Sequence, residues 1–127
     1  MPANYFHLLR RQMHRDFRKP LIVAAPKIGL KHPRAYSKLE EMAEGTKFQP
    51  IISNAFGAQG QQVKKVVVCS GKVAFDIEAR LEKANLAHAV QVIRCEELAP
   101  FPVALIREAT SAHQDASITW VQEEPMN

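Results

Sequence analysis

Apolar positions recur along the chain in two different rhythms. Near the N-terminus Tyr5, Leu9, Met13 and Phe17 return at every fourth position with Phe6 beside them. That spacing predicts an amphipathic helix that opens at Tyr5 behind an Asn4 cap and ends before Pro20. Residues 21–25, LIVAA, form a continuous apolar run with β-branched members, the pattern of a strand covered on both faces. Ser37 followed by Glu40 reads as a capping box ahead of Leu39 and Met42, and Gly45 offers a stop, so a short helix is predicted there. Residues 56–62, FGAQGQQ, read as a flexible polar connection.

Beyond that connection the rhythm becomes regular. KKVVVCS reads as a strand, a helix follows from about Val73 with Ile77, Leu81 and Ala84 on one face, and AVQVIR reads as a second strand. Pro102 has a fixed φ and no N–H, which suits the first position of a second helix, and SITWVQ completes the series as a third strand. The β-α-β-α-β order predicts an α/β fold with a parallel sheet, right-handed crossovers and helices packed on it. The expected division is 1–55, a linker at 56–62, and 63–127. A chain that stops just past its third strand looks truncated, so the strand at Ile118 to Val121 is expected to lack cover and the chain to self-associate.

Composition adds little to this picture, since 46% hydrophobic and 24% charged residues are ordinary for a globular domain. No apolar run approaches the roughly 20 residues of a membrane span and no secretory signal opens the chain, so a soluble, intracellular protein is expected. Charge changes the picture more. The net +4 is concentrated in residues 1–47, where lysine and arginine exceed acids by six, and Arg10, Arg11, Arg15 and Arg18 crowd one segment. Such a helix fits nucleic acid, an anionic protein, a mitochondrial presequence, or arginines paired with acids elsewhere in the chain. Cys69 and Cys95 end strand-like runs without CxxC spacing and read as reduced, buried thiols with no metal role.

Candidate chemistry is sparse. CSGKV (69–73) places Gly71 and Lys72 where a strand enters a helix, as a phosphate loop would, but the first glycine and the final hydroxyl of that motif are missing. Glu96 with Glu97, and Glu123 with Glu124, sit at the C-terminal ends of predicted parallel strands, where open α/β sheets bind ligands. Adjacent residues on a strand point to opposite sides, so only one of each pair can face a given pocket. His14, His32, His88 and His113 lie in polar surroundings and read as surface residues. His7 stands apart, flanked by Phe6 and Leu8 in the first helix. Its spacing fits a satisfied, partly buried histidine better than a catalytic one.

Several phrases taken together go further. NYFHLLRRQ (4–12), FRKPLIV with PK and HP after it (17–33), CSGKV, EELAPFP (96–102) and QEEPMN (122–127) resemble the C-terminal third of the thiamine-dependent first component of 2-oxoglutarate dehydrogenase, and the closely related 2-oxoadipate dehydrogenase component. The chain departs from the family's usual residues at Gly29, Lys31 and Ala99. The resemblance implies a transketolase C-terminal-like domain preceded by the last helix and strand of a pyrimidine-binding domain, with the arginine-rich helix internal to the mature enzyme. It implies thiamine diphosphate and magnesium in the full-length enzyme, with no cofactor-binding or metal-binding residue in this chain. His7 matches a substrate-side histidine, able to donate a hydrogen bond or shuttle a proton. The implied partners are the rest of the polypeptide, a homodimer mate and a lipoyl-bearing acyltransferase, with no nucleic acid and no membrane. The implied location is the mitochondrial matrix in a eukaryote or the cytoplasm in a bacterium. The competing expectation is a basic α/β module that binds nucleic acid or an anionic protein through its front helix.

Overall fold

The computed structural model describes residues 1–53, 56 and 63–123, and the chain divides into two compact units, Met1–Gln49 and Pro50–Asn127. The first unit is built on one α-helix, α1 (Pro2–His14), with short 3-10 turns at Lys27–Leu30 and Leu39–Met42. The helix opens on Pro2, a residue suited to a first turn whose N–H groups have no intrahelical partner, and Arg11 and His14 place basic groups at its carbonyl end. It therefore begins earlier than Asn4 capping would allow.

The face that α1 buries is not the predicted one. Ala3, Asn4 and His7 are buried, while Tyr5, Phe6, Leu9, Met13 and Phe17 are exposed. Residues 37–49 are mostly irregular, so their backbone polar groups need partners that no helix or sheet ladder supplies. The polar side chains of α1 provide them. Ser37 Oγ accepts from the Ala3 amide at 3.0 Å, in place of the predicted capping box. Asn4 donates through Nδ2 to the Gln49 carbonyl at 3.1 Å and accepts from the Gln49 amide at 2.8 Å. Arg10 donates to the Thr46 carbonyl at 3.4 Å, and the Arg11 guanidinium lies 4.1 Å from the Phe48 ring centroid. The predicted strand at 21–25 is also absent: these residues are exposed and irregular. A continuous apolar run becomes a strand only where a neighbouring ladder pairs it, and this unit offers none among its described residues.

The second unit carries a four-stranded sheet of β1 (Ile51–Ile52), β2 (Lys65–Cys69), β3 (Val90–Cys95) and β4 (Ser117–Val121), in the order β1-β3-β2-β4. β2 pairs in parallel with both β3 and β4, as the alternating pattern predicts. β1 pairs antiparallel with β3, Ile51 opposite Cys95 and Ile52 opposite Arg94, so the sheet is mixed rather than wholly parallel. Two residues carry too little periodicity to announce a strand. The predicted linker at 56–62 lies outside the described residues except for Phe56.

Helices α2 (Val73–Lys83) and α3 (Val103–Thr110) connect the parallel strands and cover opposite faces of the sheet. Val66, Val68, Ile93 and Cys95 pack toward Ile106 and Ala109 of α3, while Cys69 and Val92 pack with Ala74, Val73, Ile77 and Leu81 of α2. Val66 and Ile93 retain no exposed surface. Removing such side chains from water contributes about 1.5–3 kcal/mol each. Pro102 precedes α3 as its N-cap rather than occupying the first helical position.

Candidate functional site

Helix α1 holds His7 against the 3-10 turn that follows Lys38. Its Nε2 lies 2.8 Å from the Glu41 carbonyl and 3.1 Å from Thr46 Oγ1. The Thr46 hydroxyl donates to the Ala43 carbonyl at 2.6 Å, so its oxygen accepts from the imidazole. Both contacts therefore assign the proton to Nε2 and leave the lone pair on Nδ1. The Phe6 ring stands edge-on at 5.1 Å between centroids. His7 is thus a buried imidazole, 3% exposed, held by backbone and hydroxyl oxygens. Helical spacing places Ala3, His7, Arg10 and His14 on one side, and it is position along the axis that separates the two histidines: His7 lies level with the turn, while His14 is the exposed last residue of the helix.

The loops after β2 and β4 meet at a second location. Gly71 adopts φ +74, a left-handed conformation that glycine enters without a Cβ penalty, and this turn starts α2. Lys72 donates to Glu123 and lies 3.7 Å from Asp76, and both carboxylates hold its ammonium above the ordinary lysine range. The structure therefore joins two residues predicted separately, Lys72 and Glu123. It turns the supposed phosphate ligand into half of an ion pair. Glu96 and Glu97 both donate their amides to the Pro50 carbonyl, at 2.8 and 3.1 Å. They follow the end of β3, at the same end of the sheet as the Lys72 turn, since Cys69 of β2 lies opposite Arg94 of β3. Glu124 lies outside the described residues.

Sequence reasoning missed the buried polar residues on β3 and α2. Arg94, Gln91 and Glu78 are all at least 95% buried. The Arg94 guanidinium lies 5.4 Å from the Phe75 ring centroid, and its Nε and Nη2 have no hydrogen-bond partner. The Cys69 thiol is pushed up to about 11 by burial, with Arg94 opposing that rise and Glu78 adding to it. Burial likewise raises Cys95, whose thiol donates to the Glu97 carbonyl. A signal for Arg94 and Gln91 existed: a strand covered on both faces buries every residue along it, polar ones included. His113 also departs from expectation, since it is buried where the chain turns from α3 toward β4, its amide bonded to the Thr110 carbonyl and its own carbonyl bonded to the Ala116 amide.

Among the described residues no cluster of three or more histidine, cysteine or carboxylate groups could hold a metal ion. With Lys72 committed to carboxylates, these residues do not fit a diphosphate bridged by magnesium. No described helix is long and apolar enough to cross a membrane.

The profile of the 2-oxoglutarate dehydrogenase C-terminal family matches residues 36–127. The chain belongs to that family. It is 48% identical over 128 residues to a protein of Dictyostelium discoideum named "Probable 2-oxoadipate dehydrogenase complex component E1 homolog", covering 99% of this chain and 14% of that one. The mouse "2-oxoadipate dehydrogenase complex component E1" is 46% identical over the same shares. The Caenorhabditis elegans "2-oxoglutarate dehydrogenase, mitochondrial" is 43% identical over 99% of this chain and 12% of its own length. This 2-oxoglutarate dehydrogenase C-terminal chain thus spans about one seventh of the curated relatives it matches. His7 precedes the segment matched by the family profile but falls in the region that the relatives share almost end to end.

Proposed function

We propose that the chain serves as a C-terminal part of the decarboxylating component of a 2-oxo acid dehydrogenase, acting on 2-oxoadipate or 2-oxoglutarate. The observation that carries this reading is identity of 46–48% across 99% of the chain to 2-oxoadipate dehydrogenase components. In such an enzyme thiamine diphosphate, held with magnesium by residues outside this chain, supplies the nucleophile and electron sink for decarboxylation. The acyl group passes to a lipoyl arm on an acyltransferase partner. The mixed-sheet α/β unit acts as a transketolase-like C-terminal domain that supports a homodimer, and the "mitochondrial" names among the relatives favour the matrix as its location in a eukaryote.

His7 faces the substrate in this reading. Glu41 and Thr46 take the proton of Nε2 and fix the ring, so Nδ1 is the atom left to accept from the 2-oxo acid or relay its proton.

The test is a chimera in which this chain replaces the matching segment of the Dictyostelium relative. It should decarboxylate 2-oxoadipate or 2-oxoglutarate at a rate comparable to the parent. A folded chimera inactive toward both acids, beside an active parent, would overturn the assignment. His7→Ala in the active chimera should lower turnover by roughly 100-fold to 10,000-fold per folded molecule. Near-normal turnover ends the catalytic reading of His7.

A further inference from the structure

We propose that Thr46 is a positioning residue for His7: its hydroxyl holds the imidazole at one ring angle with the proton on Nε2, and it reaches the reaction only through that ring. The proposal rests on the substrate-facing reading of His7, and its test separates the two. Thr46 is itself held by each of its polar groups. Its amide and its hydroxyl both donate to the Ala43 carbonyl, at 3.3 and 2.6 Å, and its carbonyl accepts from Arg10 Nη1 at 3.4 Å. Gly45 enters the left-handed region at φ +82, where a Cβ would be strained, and lets the chain fold back toward Ala43. Arg10 follows His7 by three residues on the same side of α1. The helix that presents the imidazole therefore also clamps the residue that receives it.

Two acceptors share one ring N–H, the Glu41 carbonyl at 2.8 Å and Thr46 Oγ1 at 3.1 Å. The opposite tautomer would set an unprotonated Nε2 against a carbonyl that has no proton to give, and would require the Thr46 hydroxyl to abandon Ala43. The two oxygens divide the work. The carbonyl alone selects the tautomer but leaves the ring free to pivot about a single contact. With the hydroxyl present, rotation about Cβ–Cγ lengthens at least one of the two bonds, so the ring plane is fixed and Nδ1 keeps one direction.

The same contacts argue against a proton relay through Thr46. Both routes away from Nε2 end on backbone carbonyls, directly at Glu41 and through the hydroxyl at Ala43. A backbone carbonyl accepts a hydrogen bond but does not take up the proton, so the Nε2 proton has no onward acceptor. Thr46 is left with one means of affecting turnover, the orientation of Nδ1, and small misplacements of a reacting group are costly. Losing one of two neutral acceptors should lower turnover about 3-fold to 10-fold, far less than losing the imidazole.

Nitrogen-15 NMR on the 127-residue chain reads the ring directly and needs no variant for the first result. In the neutral imidazole of the parent, Nε2 should carry the proton and Nδ1 should not; the reverse overturns the proposal. In Thr46→Val, which keeps the shape and removes the hydroxyl, the Nε2 proton should exchange with water about tenfold faster or more, while Thr46→Ser keeps the parent's rate. Equal exchange in parent and Thr46→Val overturns the proposal. In the active chimera Thr46→Val should lower kcat about 3-fold to 10-fold with KM within about twofold, and Thr46→Ser should restore at least about half of the parent's kcat. Adding Thr46→Val to His7→Ala should cause no further loss, since the hydroxyl has nothing left to hold. A further loss in that background, or a full kcat in Thr46→Val beside a crippled His7→Ala, overturns the proposal. Near-normal kcat in both single variants, with the faster ring exchange present, ends the substrate-facing reading of His7 and confirms that Thr46 holds the ring.

Discussion

Replacing Arg94 by methionine and Glu78 by glutamine together should make the chain more stable, although it removes two charged residues from the interior. Arg94 is 3% exposed, and its Nε and Nη2 lack acceptors. Each bare buried donor costs about 1–3 kcal/mol, so the pair costs about 2–6 kcal/mol. The stack over Phe75 returns about 0.5–2 kcal/mol, and the neighbouring Glu78 carboxylate returns part of the remainder. Methionine keeps most of the volume and needs no acceptor, and the neutral glutamine leaves no buried carboxylate uncompensated, so the expected gain is about 1–3 kcal/mol. Urea unfolding at about 2 μM, followed by far-UV circular dichroism, should show a higher midpoint at unchanged slope. A lower midpoint in this double variant would refute the reasoning. Arg94→Met alone should instead lose about 3–5 kcal/mol, because it leaves the buried Glu78 carboxylate without the opposite charge.

Cys69 predicts an alkaline limit: its folded thiol titrates at about 11 against an ordinary 9.0, so the folded chain keeps its proton longer. That stabilisation is whole below pH 9 and is lost as pH rises through 11, on the order of 2–3 kcal/mol, and a Cys69→Ala variant with an equally steep fall in urea midpoint would contradict it. Asn4→Ala removes both side-chain bonds to the Gln49 backbone and should cost the first unit about 1–3 kcal/mol, read as lost exchange protection at Gln49. Gly71→Ala meets no atom within 4 Å, so its cost should be the backbone's alone, about 1–2 kcal/mol. A much larger loss by thermal melting would mean that the turn is packed.

The second unit was legible because its two central strands, β2 and β3, are buried on both faces and its helix α2 on one. KVVVC and VQVIRC show the first pattern, while Val73, Ile77 and Leu81 show the second. β1 was illegible because a two-residue strand is defined by the neighbour it finds, here Cys95 and Arg94 on β3. LIVAA failed for the converse reason: its composition suits a strand, but among the described residues no ladder takes it up. Periodicity reports what a segment can form. Pairing decides what it does form.

The α1 helix shows how the same limit reached the candidate site. Its period was read correctly, yet hydrophobicity chose the wrong face, since Tyr5, Leu9 and Met13 remain exposed while Asn4 and His7 turn inward. The buried face was selected by donors. Ser37, Glu41, Thr46 and Gln49 present backbone or hydroxyl groups that α1 satisfies, and none of these pairings has a sequence period, because each links residues 34 to 45 positions apart. His7 was singled out by its apolar neighbours, whereas its place is set by the Glu41 carbonyl. That carbonyl gives the proposed role a structural requirement: the backbone around Glu41 must stay in place for Nδ1 to face a substrate. Proline at position 41 removes the amide that donates to the Lys38 carbonyl and disrupts the 3-10 turn. In the active chimera Glu41→Pro should therefore lower turnover toward the His7→Ala level, while Glu41→Gln, which keeps the carbonyl, should not. Equal rates in both variants would separate His7 from the reaction, however well buried it is.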